Sequence, residues 1–145
     1  MGSTFKLSSL DKDKLNELLT PIVFCADKDK IAPYIEGYKV LSINGIVSKR
    51  LLELEQDKRN LFVGDVLSNI IDKAGEPLLI KDFEILFDPE YQLDILKLFI
   101  MANRKKRIAI IWCGKCRGGK LIFAEPEYPD YKSYNIKDYD ISCLI

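Results

Sequence analysis

The sequence predicts a three-layer α/β domain with a mainly parallel sheet and an antiparallel hairpin near its C-terminal end. Residues 77–80 and 107–112 are apolar runs without alternation, which is typical of strands buried on both faces of a parallel sheet. The segment between them carries Leu93, Leu96 and Ile100 at helical spacing. Together they predict a βαβ unit with a right-handed crossover.

Length and composition set the broad class. The chain has 145 residues, 48% hydrophobic and 30% charged, so we expect one folded domain over 1–145 that buries roughly two thirds of its unfolded surface. Its 22 basic and 22 acidic residues balance, which argues against a general nucleic-acid binder. We see neither a membrane-length apolar run nor a signal peptide and expect a cytoplasmic protein without membrane contact.

Histidine is absent and cysteine is present four times. The first fact excludes histidine acid–base catalysis and Ser-His-Asp triads. The second predicts reduced thiols in a chain without secretory context.

In the N-terminal half, segments with helical spacing alternate with short strand-like apolar runs. After a frayed start at 1–5, we expect a helix from Ser9 to about Thr20, capped by Ser9. Residues 22–26 (IVFCA) predict the first central strand and residues 38–43 the second. A brief helix over 30–36 separates these strands, and Gly37 ends it.

Two helices should then lead to the strand at 77–80. The first covers 46–56 after a turn at Asn44-Gly45, and a polar break follows at 56–60. The second is an apolar stripe from Phe62 to Ile71 that ends at Gly75.

The C-terminal half begins with the crossover helix, which Asp88 before Pro89 should cap. Beyond its end, residues 113–119 predict a turn and 120–124 a strand, joined as a hairpin. Residues 125–139 predict a surface coil, and 141–145 a last edge strand.

Acidic residues follow the strand at 77–80. Asp82 and Glu84 would lie at the carboxyl edge of the sheet, where nucleoside triphosphatases of the P-loop class hold magnesium and polarise water. The alternative is a pair of solvated acids in a turn.

The end of the first strand can be compared with the phosphate loop G-x-x-x-x-G-K-[ST]. In residues 24–31 only Lys30 matches, because Phe24 and Asp29 stand where the glycines belong and Ile31 replaces the hydroxyl residue. Asp27 and Asp29 also place negative charge where phosphate would sit. The composition therefore favours a solvated turn over a divergent phosphate loop.

Four stretches carry a family resemblance: 38–59, 77–99, 103–112 and 118–134. In them the chain resembles the BrxF-type P-loop proteins of BREX phage-defence systems, which implies an ATPase-like core. The family pattern has a glycine-rich phosphate loop and an aspartate closing the strand before 84–87. Here the loop is ADKDK (26–30), and Lys81 takes the magnesium-binding position with Asp82 displaced by one residue.

The resemblance with these departures implies a pseudo-ATPase: a subunit of a BREX-like assembly that acts through contacts with other defence proteins. No cofactor is then expected. The resemblance leaves two further possibilities: that the chain forms homo-oligomers and that it contacts DNA as part of the complex. The alternative is a weak ATPase that uses ATP and magnesium through Lys30, Asp82 and Glu84.

The cysteines suggest two further alternatives. Cys113 and Cys116 form a C-x-x-C pair, as in thiol-redox proteins, although no helix follows it. A zinc site would need all of Cys25, Cys113, Cys116 and Cys143. The first and fourth strands are neighbours in the P-loop order, which would bring Cys25 towards Cys113, while Cys143 has no such argument. We expect no metal.

Two surface features could bind partners. The basic cluster could contact nucleic acid or act as solvated cations that cap a helix end; it consists of Arg104, Lys105, Lys106 and Arg107. The tyrosines near the C-terminal end could anchor a protein partner or pack against the sheet edge; they are Tyr128, Tyr131, Tyr134 and Tyr139.

Overall fold

A computed structural model describes residues 1–145 and contains two sheets. The larger has six strands, all parallel, in the order β1-β9-β2-β5-β4-β3. Their bounds are β1 Ser3–Phe5, β2 Ile22–Phe24, β3 Lys39–Ser42, β4 Leu78–Lys81, β5 Ile108–Ile111 and β9 Ser142–Leu144. The smaller is antiparallel, with β6 Lys115–Arg117, β7 Lys120–Phe123 and β8 Lys132–Asn135.

Five α-helices and several 3-10 turns connect these strands. The helices are α1 Lys12–Glu17, α2 Lys28–Ile31, α3 Ile43–Leu52, α4 Gln56–Lys73 and α5 Ile95–Asn103. None is both long and apolar enough to cross a bilayer.

Alternation along the buried strands separates two cores. In β2, Ile22 and Phe24 belong to a small cluster that includes Leu15 of α1 and Ile31 of α2. Val23, between them, belongs to the large cluster formed with α3, α4, α5 and the antiparallel sheet. The parallel sheet is therefore the middle of three layers, which confirms the α/β class.

The central βαβ unit is confirmed. β4 and β5 are parallel neighbours, with Ile80 opposite Ile110, and α5 lies between them in sequence. The expected start of the helix is wrong: Asp88 accepts a hydrogen bond from the Glu90 amide and caps a 3-10 turn. Asp94 caps α5 instead, because its carboxylate accepts from the Lys97 amide.

The prediction for the first twenty residues is largely wrong. Residues 3–5 are not frayed but form β1, which pairs with β9. Asp11, not Ser9, caps α1 by accepting from the Lys14 amide. The Ser9 hydroxyl bonds to the Lys6 carbonyl instead. The helix stops at Glu17, and Leu19 is 89% exposed.

Helical boundaries near the middle also differ. Asn44-Gly45 is no turn but part of α3, which begins directly after β3. The predicted break at 56–60 is the first part of α4, and the chain turns at 53–55 instead. A polar first turn is typical of helix N-termini, which explains the misplaced boundary.

The C-terminal third departs most from expectation. The hairpin joins β6 to β7 through Gly118 and Gly119, whose φ angles are +58° and +74°, as a two-residue hairpin turn requires. Part of the predicted coil forms β8. The predicted edge strand, β9, lies inside the sheet between β1 and β2.

Candidate functional site

The carboxyl edge of the parallel sheet gathers the polar residues that the sequence singled out. β3 ends at Ser42, β4 leads to Asp82, and β2 leads to Cys25. Ligands of open α/β sheets bind in the crevice along this edge. The structure divides it into an acidic network at β3 and β4 and a cavity at β2 and β9.

The acidic network is held by two side chains from the β3–α3 connection. The Ser42 hydroxyl donates to Asp82 Oδ2 at 2.7 Å. The Asn44 side-chain amide donates to Glu84 Oε2 at 2.6 Å. Asn44 Oδ1 in turn accepts from the Ile85 amide at 3.0 Å, so each carboxylate already has a protein donor.

Asp82 is further fixed through its backbone. Its carbonyl accepts from the Asn44 amide at 2.7 Å, and its φ of +51° lies in the left-handed region. Lys81 Nζ stands 3.9 Å from Asp82 Oδ2, with both side chains substantially exposed. An ion pair this exposed contributes at most about 1 kcal/mol, but it places a cation next to the carboxylate expected to bind metal.

Lys30 lies at the other part of the edge. It borders a cavity of about 740 Å³ beyond β2 and β9, within the usual size of small-molecule sites. The lining residues are Leu7, Ser8, Cys25, Ala26, Asp27, Asp29, Lys30, Pro33, Tyr34 and Ile145. Asp27, Asp29 and Lys30 are exposed, and α2 is a single turn of four residues.

Lys30 is not brought to the acidic network. β2 and β4 are separated by β5, which places them about 10 Å apart. No ion pair joins Lys30 to a carboxylate. The residues assigned to an ATPase thus share one edge of the sheet without forming one cluster.

The two cysteines of the C-x-x-C pair face different neighbours. Burial raises the pKa of the Cys113 thiol, and the nearby Glu84 carboxylate raises it further. Burial and the adjacent Cys25 raise the pKa of Cys116 to about 12. Activated redox thiols have a lowered pKa at a helix N-terminus, and here Cys116 lies in strand β6.

Cys143 is the cysteine whose position the sequence could not predict. It sits in β9 opposite Val23 of β2, on the face from which Cys25 also projects. Hydrogen bonding with Cys143 is the largest cause that raises the pKa of Cys25, followed by burial. No group of three Cys, Asp or Glu residues is arranged to hold a metal ion.

Half of the basic cluster serves structure. Lys106 Nζ donates to the carbonyls of Ile71, Asp72 and Ala74 at the end of α4. The Arg107 guanidinium donates to the carbonyls of Leu15 and Leu18 at the end of α1, both at 2.9 Å. Both cations therefore cap helix ends, but the helices are α4 and α1, which are distant in sequence, and not the helix directly before the cluster.

The remaining cations of the cluster, Arg104 and Lys105, are exposed and make no ion pair. Only these two side chains are thus free for a ligand such as DNA.

The tyrosines divide in a similar way. Tyr134 is buried against Trp112, with ring centroids 6.2 Å apart. Tyr139 stacks edge-on against Tyr134, and its hydroxyl donates to Asp94 Oδ2 at 2.8 Å. Tyr134 and Tyr139 thus pack within the protein and are not available to a partner. Tyr128 is 56% exposed and Tyr131 is partly buried.

Sequence reasoning missed Ser42 and Asn44. Asn44 was interpreted as a turn residue because it precedes glycine. The sequence did contain a signal: Ser42 lies near the end of the strand predicted over 38–43 and Asn44 directly follows that strand. The carboxyl ends of parallel strands meet at one edge of a sheet.

Comparison of the chain with protein-family models, with curated proteins and with solved structures finds no match.

Proposed function

We propose that the chain is a non-catalytic subunit of a BREX-like phage-defence assembly, with a P-loop-type fold whose nucleotide site is degraded. The observation that carries the proposal is the engagement of both candidate carboxylates. Asp82 accepts from Ser42 through Oδ2, and Glu84 accepts from Asn44 through Oε2. Each carboxylate is thus oriented by a protein donor, and the Lys81 ammonium, 3.9 Å from Asp82 Oδ2, stands where a magnesium site would need an oxygen ligand.

Charge at the cavity supports the same proposal. Asp27 and Asp29 lie on either side of the short helix start that would have to face phosphate. A phosphate site needs backbone amides and net positive charge. Lys30 alone is outnumbered by these two carboxylates.

Strand pairing supports the P-loop part of the proposal. β2 is the first central strand and β5 the fourth, and they are neighbours with Val23 opposite Ile110. The resemblance implies this adjacency. The role in an assembly rests on the resemblance over 38–134, and the exposed tyrosine and the free basic pair are candidate contacts.

Thermal unfolding with and without millimolar magnesium-ATP tests the nucleotide part. A ligand that binds only the folded state stabilises it by about 2.7 kcal/mol at one hundred times its Kd. We expect no shift in Tm for the wild type. Lys30→Ala and the matched Lys28→Ala, changed in the same exposed turn, should behave alike.

A shift abolished by Lys30→Ala and kept by Lys28→Ala would refute the degraded site. It would favour the second candidate, a divergent ATPase. The specific observation in favour of that candidate is the cavity, since Lys30 borders it at the sheet's carboxyl edge.

The assembly part needs its own test. Purified chain and purified BREX components should co-elute in size-exclusion chromatography, with an unrelated α/β protein as control. Failure to associate with every component would refute the role in defence and leave the fold assignment standing.

A further inference from the structure

A groove runs between α4 and α5 on the side of these helices that faces away from the sheet. It holds about 140 Å³, below the roughly 300 Å³ at which small-molecule sites begin. Its floor is apolar and includes Leu67, Ile71, Leu98 and Ala102. Met101 also lines the groove and is 61% exposed. The groove therefore fits side chains of a protein surface better than a metabolite.

Charge is divided between the two sides of this groove. Asp65 and Asp72 are exposed on α4, and their spacing of two turns puts them on one face of that helix. Lys97 and Lys105 are exposed on the α5 side, where the Lys105 amide continues the last turn by donating to the Ala102 carbonyl. None of these four side chains joins an ion pair within the chain. One side of the groove is thus acidic and the other basic.

The acidic and basic positions lie at matching heights. α4 leads into β4 and α5 into β5, which are parallel neighbours, so the two helices run in the same direction. Asp72 and Lys105 are level, because both line the groove. At 1.5 Å per residue, Asp65 lies about 10.5 Å before Asp72 and Lys97 about 12 Å before Lys105. Each carboxylate therefore has an ammonium at its own height on the other helix.

We infer that this face binds the same face of a second copy of the chain, around a two-fold axis that runs along the groove. Such an axis lays α4 of each copy on α5 of the other and keeps the heights. Asp72 then faces Lys105 of the second copy, Asp65 faces its Lys97, and each contact occurs twice. The two grooves face each other, and the flexible Met101 side chains of both copies fill them.

The charges exclude the other simple two-fold arrangement. An axis across the helices would lay α4 on α4 and α5 on α5, which sets carboxylates against carboxylates and ammonium groups against each other. A second copy supplies the opposite charges in the required order, whereas an unrelated protein would have to reproduce that order. Dimerisation of this kind is independent of the role in defence proposed above.

The size of the face sets the strength of the dimer. α4 has 18 residues and is about 27 Å long, and packed helices lie about 10 Å apart. The two helices therefore bury roughly 500 Å² per copy, below the total of about 1,200 Å² that stable interfaces reach. We expect a weak dimer with a Kd on the order of 100 µM, so the chain is monomeric at a few micromolar.

Sedimentation equilibrium of the full chain, without nucleotide or other proteins, tests the inference. In about 50 mM NaCl the average mass should rise from that of the monomer towards twice that value between about 10 µM and 1 mM protein. In about 500 mM NaCl the Debye length falls from about 14 to 4 Å, and the Kd should rise several-fold.

Charge swaps identify the face. Asp72→Lys and Lys105→Asp each turn two attractive contacts into repulsive ones and should raise the Kd about tenfold or more. Mixed in equal amounts, these two variants regain opposite charges at both contacts and should form a heterodimer. Lys73→Asp is the matched control, since it changes the net charge as Lys105→Asp does. Lys73 is exposed about 100° further round α4 and does not line the groove, so its Kd should equal that of the wild type.

Three results would overturn the inference. One is a chain that stays monomeric at about 1 mM in low salt. Another is a dimer that neither swap weakens, because it would use a different face. The third is a failure of the two swap variants to associate when mixed. If a variant does not fold, zero-length carbodiimide cross-linking of isotope-labelled and unlabelled wild-type chains decides. A link between Asp72 of one copy and Lys105 of the other is expected, and its absence would refute the arrangement.

Discussion

Lys106→Met removes the cation that caps the C-terminal end of α4, although Lys106 itself lies beyond α5 in the chain. Its ammonium donates to the carbonyls of Ile71 at 2.8 Å, Asp72 at 3.0 Å and also Ala74. Methionine keeps the apolar stem but cannot donate. We expect the last turn of α4 to loosen.

The size of the effect follows from the three carbonyls. A hydrogen bond to a charged group contributes about 1.5 to 3 kcal/mol when buried, and a cation at a helix C-terminus adds about 0.3 to 1 kcal/mol. Water reaches this helix end and replaces part of the bonding, because Asp72 and Lys73 are exposed. We therefore expect a loss of about 2 kcal/mol, or roughly 4 to 8 °C in Tm.

Urea unfolding followed by circular dichroism measures this loss. Lys105→Met is the matched control, since the Lys105 side chain is exposed and joins no ion pair, and its effect should stay within about 0.5 kcal/mol. Equal stability of the two variants would refute the capping role. It would return Lys106 to the set of free cations.

Three further predictions concern the network, the aromatic core and pH. Asn44→Ala leaves the partly buried Ile85 amide and the Glu84 carboxylate without their partner. It should lower the free energy of unfolding in urea by about 2 kcal/mol, whereas Ser48→Ala on the same helix should change it little. Phe87→Ala opens a cavity in the aromatic core, where the Phe87 ring stacks on that of Phe123 with centroids 4.1 Å apart. We expect the free energy of unfolding to fall by about 3 to 5 kcal/mol. An unchanged near-ultraviolet circular dichroism spectrum and unchanged stability would contradict this. Burial raises the pKa values of Cys116 and Tyr139 to about 12 from 9.0 and 10.0. The unfolded chain ionises first, so stability should fall between pH 9 and pH 12, and Cys116→Ala should make the fall shallower.

The parallel sheet could be predicted because its inner strands are continuous apolar runs. Residues 77–80 and 108–112 are apolar without alternation, and runs this short are typical of a strand covered on both faces. β1 and β6 could not be predicted. Each has three residues with mostly exposed side chains, so neither has a hydrophobic pattern. Each forms a strand because its backbone pairs with a neighbouring strand, β9 or β7.

The candidate site could be predicted only in part. Asp82 and Glu84 follow a strand, so their place on the sheet's carboxyl edge was predictable. Their partners were not, because Ser42 and Asn44 are some 40 residues away along the chain. The roles of Lys106 and Arg107 were hidden for the same reason, since the carbonyls they bind belong to helices distant in sequence.

The position of β9 has a consequence for the order in which the chain can fold. β1 and β2 do not touch each other in the sheet, because β9 lies between them. Until β9 is inserted, β1 has no strand to pair with and β2 can pair only with β5. Pairings this distant in sequence form slowly, and unpaired edges invite association with other chains. Insertion of β9 therefore joins β1 to the sheet and pairs the remaining edge of β2.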